Sequence, residues 1–476
     1  MATVTRTTTA AKTVGLAGQR NYNEIVEFLD ANWQSAFNDQ HLMTMKALNK
    51  ALGQPAQKVK AVLVQGTNGK SITINFCVKL LQEEGIKSGA FYSPHIMSYN
   101  ERFVINNEVI ANKVFVELAN EVINAAHTYD IKASTFELLL MMALVHFARN
   151  NIEVVFLESF QNGPLDPTMI CDPAVLVVTR ITSDDMDPKL PETIDKIKQI
   201  IECVRPGTYV VSGDQSKLNL QTMAEATHQR QGIWEMPIRK LAVLQYPYEQ
   251  LHGRCAALAE RICHILIDSM TNQDSLLLSK SLLAKQKGQR GRPTLEAKRL
   301  SEINPKRTVE QFWKEESTSL ASRFQLIKDK PTVLLDNASN IDAVENLLLD
   351  IRLLHYQRSL KGLAIILGCD KSLMNVEELL RLLRYFTKKN SAHIIFCPIQ
   401  LESPGFFEES WNVEQVVNNV TSLKIKAKAA ASFAEAFELA KAIVDERNGL
   451  VVVAGSQSIV AQYWKHKGLK TVVSPR

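Results

Sequence analysis

The sequence lacks paired cysteines, long apolar runs and a strong charge of either sign. Its seven cysteines are scattered and form no CxxC pair, which argues against a disulfide framework and a structural zinc site. No apolar run approaches the length of a membrane span. The 55 basic residues exceed the 50 acidic ones by only five, too little to indicate nucleic-acid or membrane binding. These absences predict a cytoplasmic protein in a reducing compartment.

Predicted strands alternate with predicted helices over most of the chain, which indicates parallel sheets covered by helices. The predicted fold is α/β, with a P-loop parallel-sheet ATPase domain followed by a smaller Rossmann-like α/β C-terminal domain. The predicted boundaries are a flexible tail at 1–20, an ATP-binding domain at 21–328 and a four-stranded domain at 331–476. A basic stretch at about 284–320 is interpreted as a solvated insertion or linker, in preference to a DNA-binding clasp at 290–293.

One short stretch carries the strongest signal for chemistry. A buried strand at 62–64 is followed by a glycine loop and then by a segment with helical apolar spacing. Glycines allow backbone amides to converge on anionic oxygens, the helix N-terminus adds partial positive charge, and Lys70 adds a full charge. This arrangement predicts an ATP site. The predicted loop residues are Gly66, Thr67, Asn68, Gly69, Lys70 and Ser71.

Polar side chains also follow the other predicted strands of the first domain. Ser93 and Glu158 come at the ends of two such strands, and the pair Asp184 and Asp185 closes the stretch 180–185 that follows a third. Because the carboxyl ends of parallel strands share one edge of a sheet, these groups are expected to lie near the P-loop. Oxygen ligands shared with phosphates are what Mg²⁺ prefers. Each residue could instead cap a helix or form a turn.

Several motifs in order resemble one family. After the GTNGKS loop come Ser93-Pro94-His95, Asn100-Glu101-Arg102, Leu157-Glu158 and the distal stretch from Asp336 to Asn340. The chain thereby resembles folylpolyglutamate synthase and dihydrofolate synthase, which belong to the Mur ligase superfamily. The resemblance implies a monomeric ATP-dependent amide ligase. It would add L-glutamate to a folate or dihydropteroate carboxylate through an acyl phosphate.

The resemblance also implies roles for individual residues. Lys70 and Glu158 would be catalytic, and Arg323, Asp336 and Asn340 would join the loop in binding ATP. Ser93, Glu158 and Asp185 would hold Mg²⁺. His95 and Arg102 would bind the substrate.

The departures from the family pattern leave alternatives open. Ile72 follows Ser71 where the family has serine, Ile200 stands at the position of a metal-bridging lysine, and Ser339 replaces a histidine. These losses favour a degenerate nucleotide-binding homologue that acts as an interaction or regulatory protein. A small-molecule kinase with the same P-loop is a third hypothesis. The two folate activities are not separated by these motifs.

Overall fold

The computed structural model describes residues 18–33, 38–182, 191–236, 250–271, 312–313, 320–371, 374–399, 409–421 and 425–471. Most of the predicted tail and of the basic insertion lies outside these residues, as do Asp184 and Asp185. Arg20, assigned to the tail, is buried and its guanidinium donates to Asn124 Oδ1 at 2.9 Å. The folded chain therefore includes at least this residue of the expected tail.

The N-terminal part is built on an eight-stranded sheet. Its strands are β1 (Lys60–Gln65), β2 (Ser88–Phe91), β3 (Phe103–Ile105), β4 (Glu108–Val109), β5 (Val154–Glu158), β6 (Pro173–Val178), β7 (Tyr209–Ser212) and β8 (Ile233–Glu235). The order is β4-β3-β2-β5-β1-β6-β7-β8. The six strands β2, β5, β1, β6, β7 and β8, adjacent in this order, pair in parallel. The β3–β4 hairpin adds two antiparallel strands beside β2 at one edge. Buried, near-continuous apolar runs such as that of β1 are typical of central parallel strands.

Helices cover both faces of this sheet. They are α1 (Tyr22–Ala31), α2 (Asp39–Ala51), α3 (Lys70–Glu83), α4 (Asn112–Thr128), α5 (Thr135–Arg149), α6 (Pro191–Ile201), α7 (Lys217–Gln229) and α8 (Gln250–Thr271). Helices α1, α2, α4 and α5 contribute to one hydrophobic core, and α3 and α8 pack together in the other. Because α3 is buried along most of its length, the helix that begins at Lys70 is rigidly held.

The C-terminal part is a six-stranded sheet. Its strands are β9 (Gln325–Ile327), β10 (Thr332–Leu335), β11 (Leu363–Leu367), β12 (Ala392–Phe396), β13 (Ala427–Ala429) and β14 (Leu450–Ala454). The order is β13-β12-β11-β14-β10-β9, parallel except for β9. The accompanying helices are α9 (Ile341–Gln357), α10 (Val376–Lys389), α11 (Val413–Thr421), α12 (Phe433–Ile443) and α13 (Gln457–His466). The chain thus has the predicted α/β fold, with a parallel-sheet P-loop part followed by a smaller Rossmann-like part.

The prediction of four strands in the C-terminal part is wrong, because β9 and β13 extend the sheet to six. Both are three-residue edge strands with partly exposed side chains, and β8 in the first sheet is a third example. Such strands carry no run of buried apolar residues, so apolar patterning does not reveal them.

The two sheets present their carboxyl ends to each other. Asn68, in the loop after β1, lies 3.1 Å from Asn340 Oδ1, at the start of α9 after β10. Loops at these ends are where ligands bind in open parallel sheets. None of the described helices is both long and apolar enough to cross a membrane.

Gly455 provides a test of the C-terminal sheet. Its φ is +115°, and a Cβ atom there would lie 2.6 Å from the Gly368 carbonyl oxygen. We expect Gly455→Ala to lower the free energy of unfolding by more than the about 1–3 kcal/mol that backbone strain alone costs, because the clash adds to it. Urea unfolding measures this difference.

Gly468→Ala is the matched control. Gly468 also has a positive φ, +74°, but a Cβ atom there meets nothing within 4 Å. Equal destabilisation by the two variants would contradict the close approach of the β14 end to β11.

Candidate active site

The phosphate-binding loop between β1 and α3 depends on glycine geometry. Gly66 (φ 121°) and Gly69 (φ 91°) both adopt positive φ. A Cβ atom at Gly66 would lie 2.3 Å from Thr179 Oγ1, so no larger residue fits. The Thr67 N–H donates to the Arg180 carbonyl oxygen at 2.6 Å, which fixes the loop against the end of β6. The first turn of α3 therefore presents its N–H groups to the space beside the loop, where an anion is favoured.

Lys70 folds back over the loop that precedes it. Its Nζ donates to the Gly66 carbonyl oxygen at 2.8 Å and lies 3.4 Å from that of Thr67. Burial lowers the pKa of Lys70, with Glu158 opposing that shift and Arg323 adding to it. The ammonium is therefore already held at the loop, where phosphate oxygens would displace its carbonyl partners.

Three elements converge on the carboxylate of Glu158, at the end of β5. Ser71 Oγ lies 3.0 Å from both carboxylate oxygens, and the Ser93 N–H donates to Oε2 at 3.2 Å. Arg323 Nη2 donates to Ser71 Oγ at 3.2 Å. Burial raises the pKa of Glu158, and the positive charges of Lys70 and Arg323 oppose this rise.

Arg102 and His95 lie behind Ser93. Arg102 is fully buried, and it donates from Nη1 to Ser93 Oγ at 3.2 Å and from Nε to His95 Nδ1 at 3.0 Å. Burial and the Arg102 charge lower the pKa of His95 well below its usual value, so its ring is neutral and can accept that bond. Neither residue lines either of the two cavities described below. Arg102 thus orients Ser93 directly and is itself contacted by His95. That these two residues bind the substrate stays a prediction.

The donor set beside the loop fits a hard divalent cation. Glu158 and the hydroxyls of Ser71 and Ser93 are oxygen donors that line one cavity, and Mg²⁺ takes such ligands together with water and phosphate oxygens. The carboxylate is buried, and the charges of Lys70 and Arg323 together with its hydrogen bonds only partly offset the rise of its pKa on burial. Among the described residues no group of three or more His, Cys, Asp or Glu side chains could form a metal cage. The third predicted ligand, Asp185, lies outside the described residues.

Asp336 and Asn340 come from the C-terminal sheet, at the end of β10. The Asp336 carboxylate accepts the N–H groups of Phe324 and Ala338 at 2.8 and 2.9 Å, and burial raises its pKa to about 6. Asn340 caps α9 and forms a reciprocal amide pair with Asn68 of the P-loop. Both residues also line the cavity at the loop.

A further contact joins the two sheets at Asp342. This buried carboxylate accepts from Asn68 Nδ2 at 2.7 Å and pairs with Arg180 Nη2 at 2.8 Å. The Arg180 backbone in turn holds the P-loop. The position of Asn68 is therefore set by the C-terminal part as well as by its own loop.

Two cavities meet at this interface. The first, of about 310 Å³, lies over the P-loop, and the second, of about 650 Å³, lies beside α3 and the β3–β4 hairpin. Their shared wall is formed by Ser71, Pro94, Arg323 and Gln457. A ligand in the first cavity would thus lie next to a ligand in the second.

The three family departures have different surroundings. Ile72 and Ser339 line the first cavity. Ile200 is 1% exposed and belongs to the hydrophobic core beneath α6. Its position is therefore apolar and closed, unlike that of a metal-bridging lysine.

Sequence reasoning missed Asn162, Arg180, Asp342 and Gln457. Asn162 Oδ1 accepts the Gly66 N–H at 2.8 Å, and Gln457 belongs to both cavity walls. Arg180 and Gln457 each follow a strand end, which was the available signal. Asp342 and Asn162 act through contacts that only the folded chain creates.

Comparison with known proteins gives a consistent result. No protein-family model matches the chain. The chain is 26% identical over 318 residues to the dihydrofolate synthase/folylpolyglutamate synthase of Bacillus subtilis (strain 168), covering 64% of this chain and 70% of that protein. It is 29% identical over 201 residues to the folylpolyglutamate synthase of Lacticaseibacillus casei, covering 41% of this chain and only 46% of that protein.

Solved structures extend the likeness along the whole chain. Folylpolyglutamate synthase of Mycobacterium tuberculosis complexed with ADP gives a TM-score of 0.73 at 18% identity, covering 94% of this chain and 98% of that one. The bifunctional folylpolyglutamate synthase/dihydrofolate synthase of Yersinia pestis complexed with AMPPNP and Mn ion gives 0.71 at 19% identity, covering 96% of this chain and 100% of that one. This chain is similar in sequence and in fold to the folylpolyglutamate and dihydrofolate synthases. At these identities the structures show a shared two-part fold, and the resemblance expected from the motifs is confirmed.

The ion pair between Asp342 and Arg180, which joins the two parts of the protein, can be tested by mutation. We expect Asp342→Asn to lower the free energy of unfolding by about 2–4 kcal/mol, because it leaves the partly buried Arg180 without its partner. Adding Arg180→Met to that variant should cost less than Arg180→Met alone, since the two residues share one interaction. Urea unfolding of the unaltered protein, the two single variants and the double variant measures this interaction energy.

Glu345→Gln, an exposed acid on the same helix, is the matched control and should change the stability by at most about 0.5 kcal/mol. Additive effects of the Asp342 and Arg180 changes would contradict the coupling.

Proposed function

We propose that the protein is an ATP-dependent amide ligase that joins L-glutamate to the carboxylate of a folate or dihydropteroate. The observation that carries the proposal is the convergence of Lys70, Ser71, Glu158 and Arg323 on a cavity that adjoins a second, larger one. The names of the relatives and the ADP and AMPPNP complexes of the structural neighbours support the same chemistry.

The first cavity would hold the nucleotide. Backbone N–H groups of the loop and of the first turn of α3 would bind the β- and γ-phosphates, and Lys70 and Arg323 would neutralise their charge. Phosphoryl transfer needs such positioning and charge neutralisation more than covalent help. Bound Mg²⁺, held by Glu158, Ser71 and Ser93, would supply further neutralisation of the transferred group.

The reaction would then proceed in two steps. A carboxylate oxygen of the acceptor attacks the γ-phosphorus, the bond from this phosphorus to the β–γ bridging oxygen breaks, and ADP leaves. The glutamate amine next attacks the carbonyl carbon of the acyl phosphate, phosphate leaves with the C–O bonding pair, and the amine loses a proton. In this scheme Arg323, which lies between the two cavities, stabilises charge in both steps.

The second cavity would hold the acceptor. Its volume of about 650 Å³ suits a molecule of folate size. Its lining combines apolar side chains such as Ile96 and Val104 with amides such as Asn75 and Asn107. An acceptor in this cavity would have its reacting carboxylate at the wall shared with the nucleotide cavity.

A turnover measurement tests the proposal. Purified protein with ATP, Mg²⁺, L-glutamate and either dihydropteroate or tetrahydrofolate should release ADP only when acceptor and glutamate are both present. Lys70→Ala should lower this rate by about 100-fold or more, since it removes the charge beside the transferred phosphoryl group. Lys113→Ala, at an exposed lysine of α4, is the control and should leave the rate unchanged.

ATP binding without ADP release from any pairing would contradict the ligase. It would instead favour a nucleotide-binding homologue that acts as an interaction or regulatory protein, the hypothesis that Ile72, Ile200 and Ser339 raise. ADP release that needs an acceptor but no glutamate would favour a kinase.

A further inference from the structure

We propose that Gln457 binds the carboxylate of the acceptor at the wall shared by the two cavities, and so determines which ligands are presented to the nucleotide. This assignment rests on the proposed function, because it takes the first cavity as the nucleotide site and the second as the acceptor site. Gln457 occurs in none of the motifs that carry the family resemblance.

The fold delivers Gln457 to the interface in a fixed position. Strand β14 ends at Ala454, and Gly455 turns the chain so that Ser456 caps α13 by accepting the Ile459 N–H at 3.2 Å. Gln457 is the first residue of that helix. Because β14 lies directly beside β10 in the sheet, Gln457 emerges next to the strand end that carries Asp336.

The side chain of Gln457 is buried but has no partner among the described residues. It is 7% exposed, and its carboxamide makes no hydrogen bond to any of them. The carboxamide oxygen and nitrogen are not closed off from solvent, so they can be reached from the two cavities that Gln457 borders. A carboxamide can donate and accept hydrogen bonds, so one that is held at this wall without a protein partner is available to a ligand group there.

The surroundings of the carboxamide favour an anionic ligand group. Arg323 shares the wall with it, and the N-terminus of α13, a helix of ten residues, lies at Gln457 itself. Guanidinium, amide N–H and helix terminus are all donors or partial positive charges. Together they would bind two carboxylate oxygens while one of these oxygens faces the nucleotide cavity.

A carboxylate is favoured over a phosphate at this wall. The loop, the start of α3 and Lys70 already form a phosphate site in the first cavity, whereas Gln457 and Arg323 also border the larger second cavity. A neutral carboxamide adds hydrogen bonds without adding charge. It therefore suits a monoanion that must become the attacking nucleophile.

Binding titrations test this assignment without requiring turnover. The probes are tetrahydrofolate or dihydropteroate and the corresponding carboxamides, each titrated into protein that holds a non-hydrolysable ATP analogue. Gln457→Met keeps the side-chain length but removes the donor, and should weaken carboxylate binding about 10-fold. Gln457→Glu should weaken it at least as much through charge repulsion, while the carboxamide probe binds as it does to the unaltered protein.

The controls separate recognition from a structural effect. Gln462→Met changes the same residue type on the same helix, away from both cavities, and should leave all affinities unchanged. All acceptor titrations are made at saturating nucleotide analogue, because Gln457 also borders the nucleotide cavity. Unaltered carboxylate binding by the two variants, or an equal loss for carboxylate and carboxamide, would overturn the assignment. So would failure of the unaltered protein to bind either carboxylate.

A failure of the Gln457 assignment can be distinguished from a failure of the proposed function. Failure to release ADP would contradict the ligase, yet Gln457-dependent carboxylate binding would still stand. Normal turnover and normal acceptor affinity in Gln457→Met would overturn the role of Gln457 and leave the ligase intact.

Discussion

The buried carboxylate of Glu158 is the constraint on which the rest of the site depends. It lies at the end of a central strand, and a carboxylate in such a place is costly unless it is hydrogen-bonded and close to positive charge. Ser71 at the start of α3, the Ser93 backbone after β2 and Arg323 before β9 all satisfy that demand directly or through one partner. Satisfying one charge thus fixes a helix, a loop and the interdomain segment relative to one another.

A small group of hydrogen bonds and one ion pair joins the two sheets. Asn68 belongs to the loop that would bind phosphates, yet its amide is held by Asn340 and Asp342 of the C-terminal part. Asp342 also pairs with Arg180, whose carbonyl oxygen accepts the Thr67 N–H. The loop that would bind the nucleotide is therefore linked to the second part through Asn68 and through Arg180, and both links include Asp342. In such an arrangement, a change in the relative position of the two parts would be coupled to a change in the geometry of the loop.

Most of the fold was predictable from sequence because parallel sheets have buried strands with near-continuous apolar runs, as in β1, β5, β11 and β14. Short edge strands such as β9 and β13 were missed since half of each faces solvent. The convergence of the loop residues, Ser93 and Glu158 was predictable because the carboxyl ends of parallel strands share one edge of a sheet. The positions of Gln457, Asp342 and Arg180 at the interface were not predictable, because one sequence carries no record of which strand ends face each other. Conversely, Arg102 and His95 belong to a clear motif, yet the folded chain buries them behind Ser93.

The geometry of the site shows what the departure from the family pattern at Ile200 would mean for catalysis. Ile200 lies in a closed apolar core, so this position of α6 offers no ligand for a second metal ion. Neutralising a transferred phosphoryl group would then fall to Lys70, Arg323 and a single cation beside Glu158. Phosphoryl transfer depends on total neutralisation and alignment rather than on a particular number of metal ions, and two fixed cationic side chains already flank the site. A site with one metal ion would thus differ in how charge is distributed around the phosphates, and it would keep these two side chains as a means to stabilise the transition state.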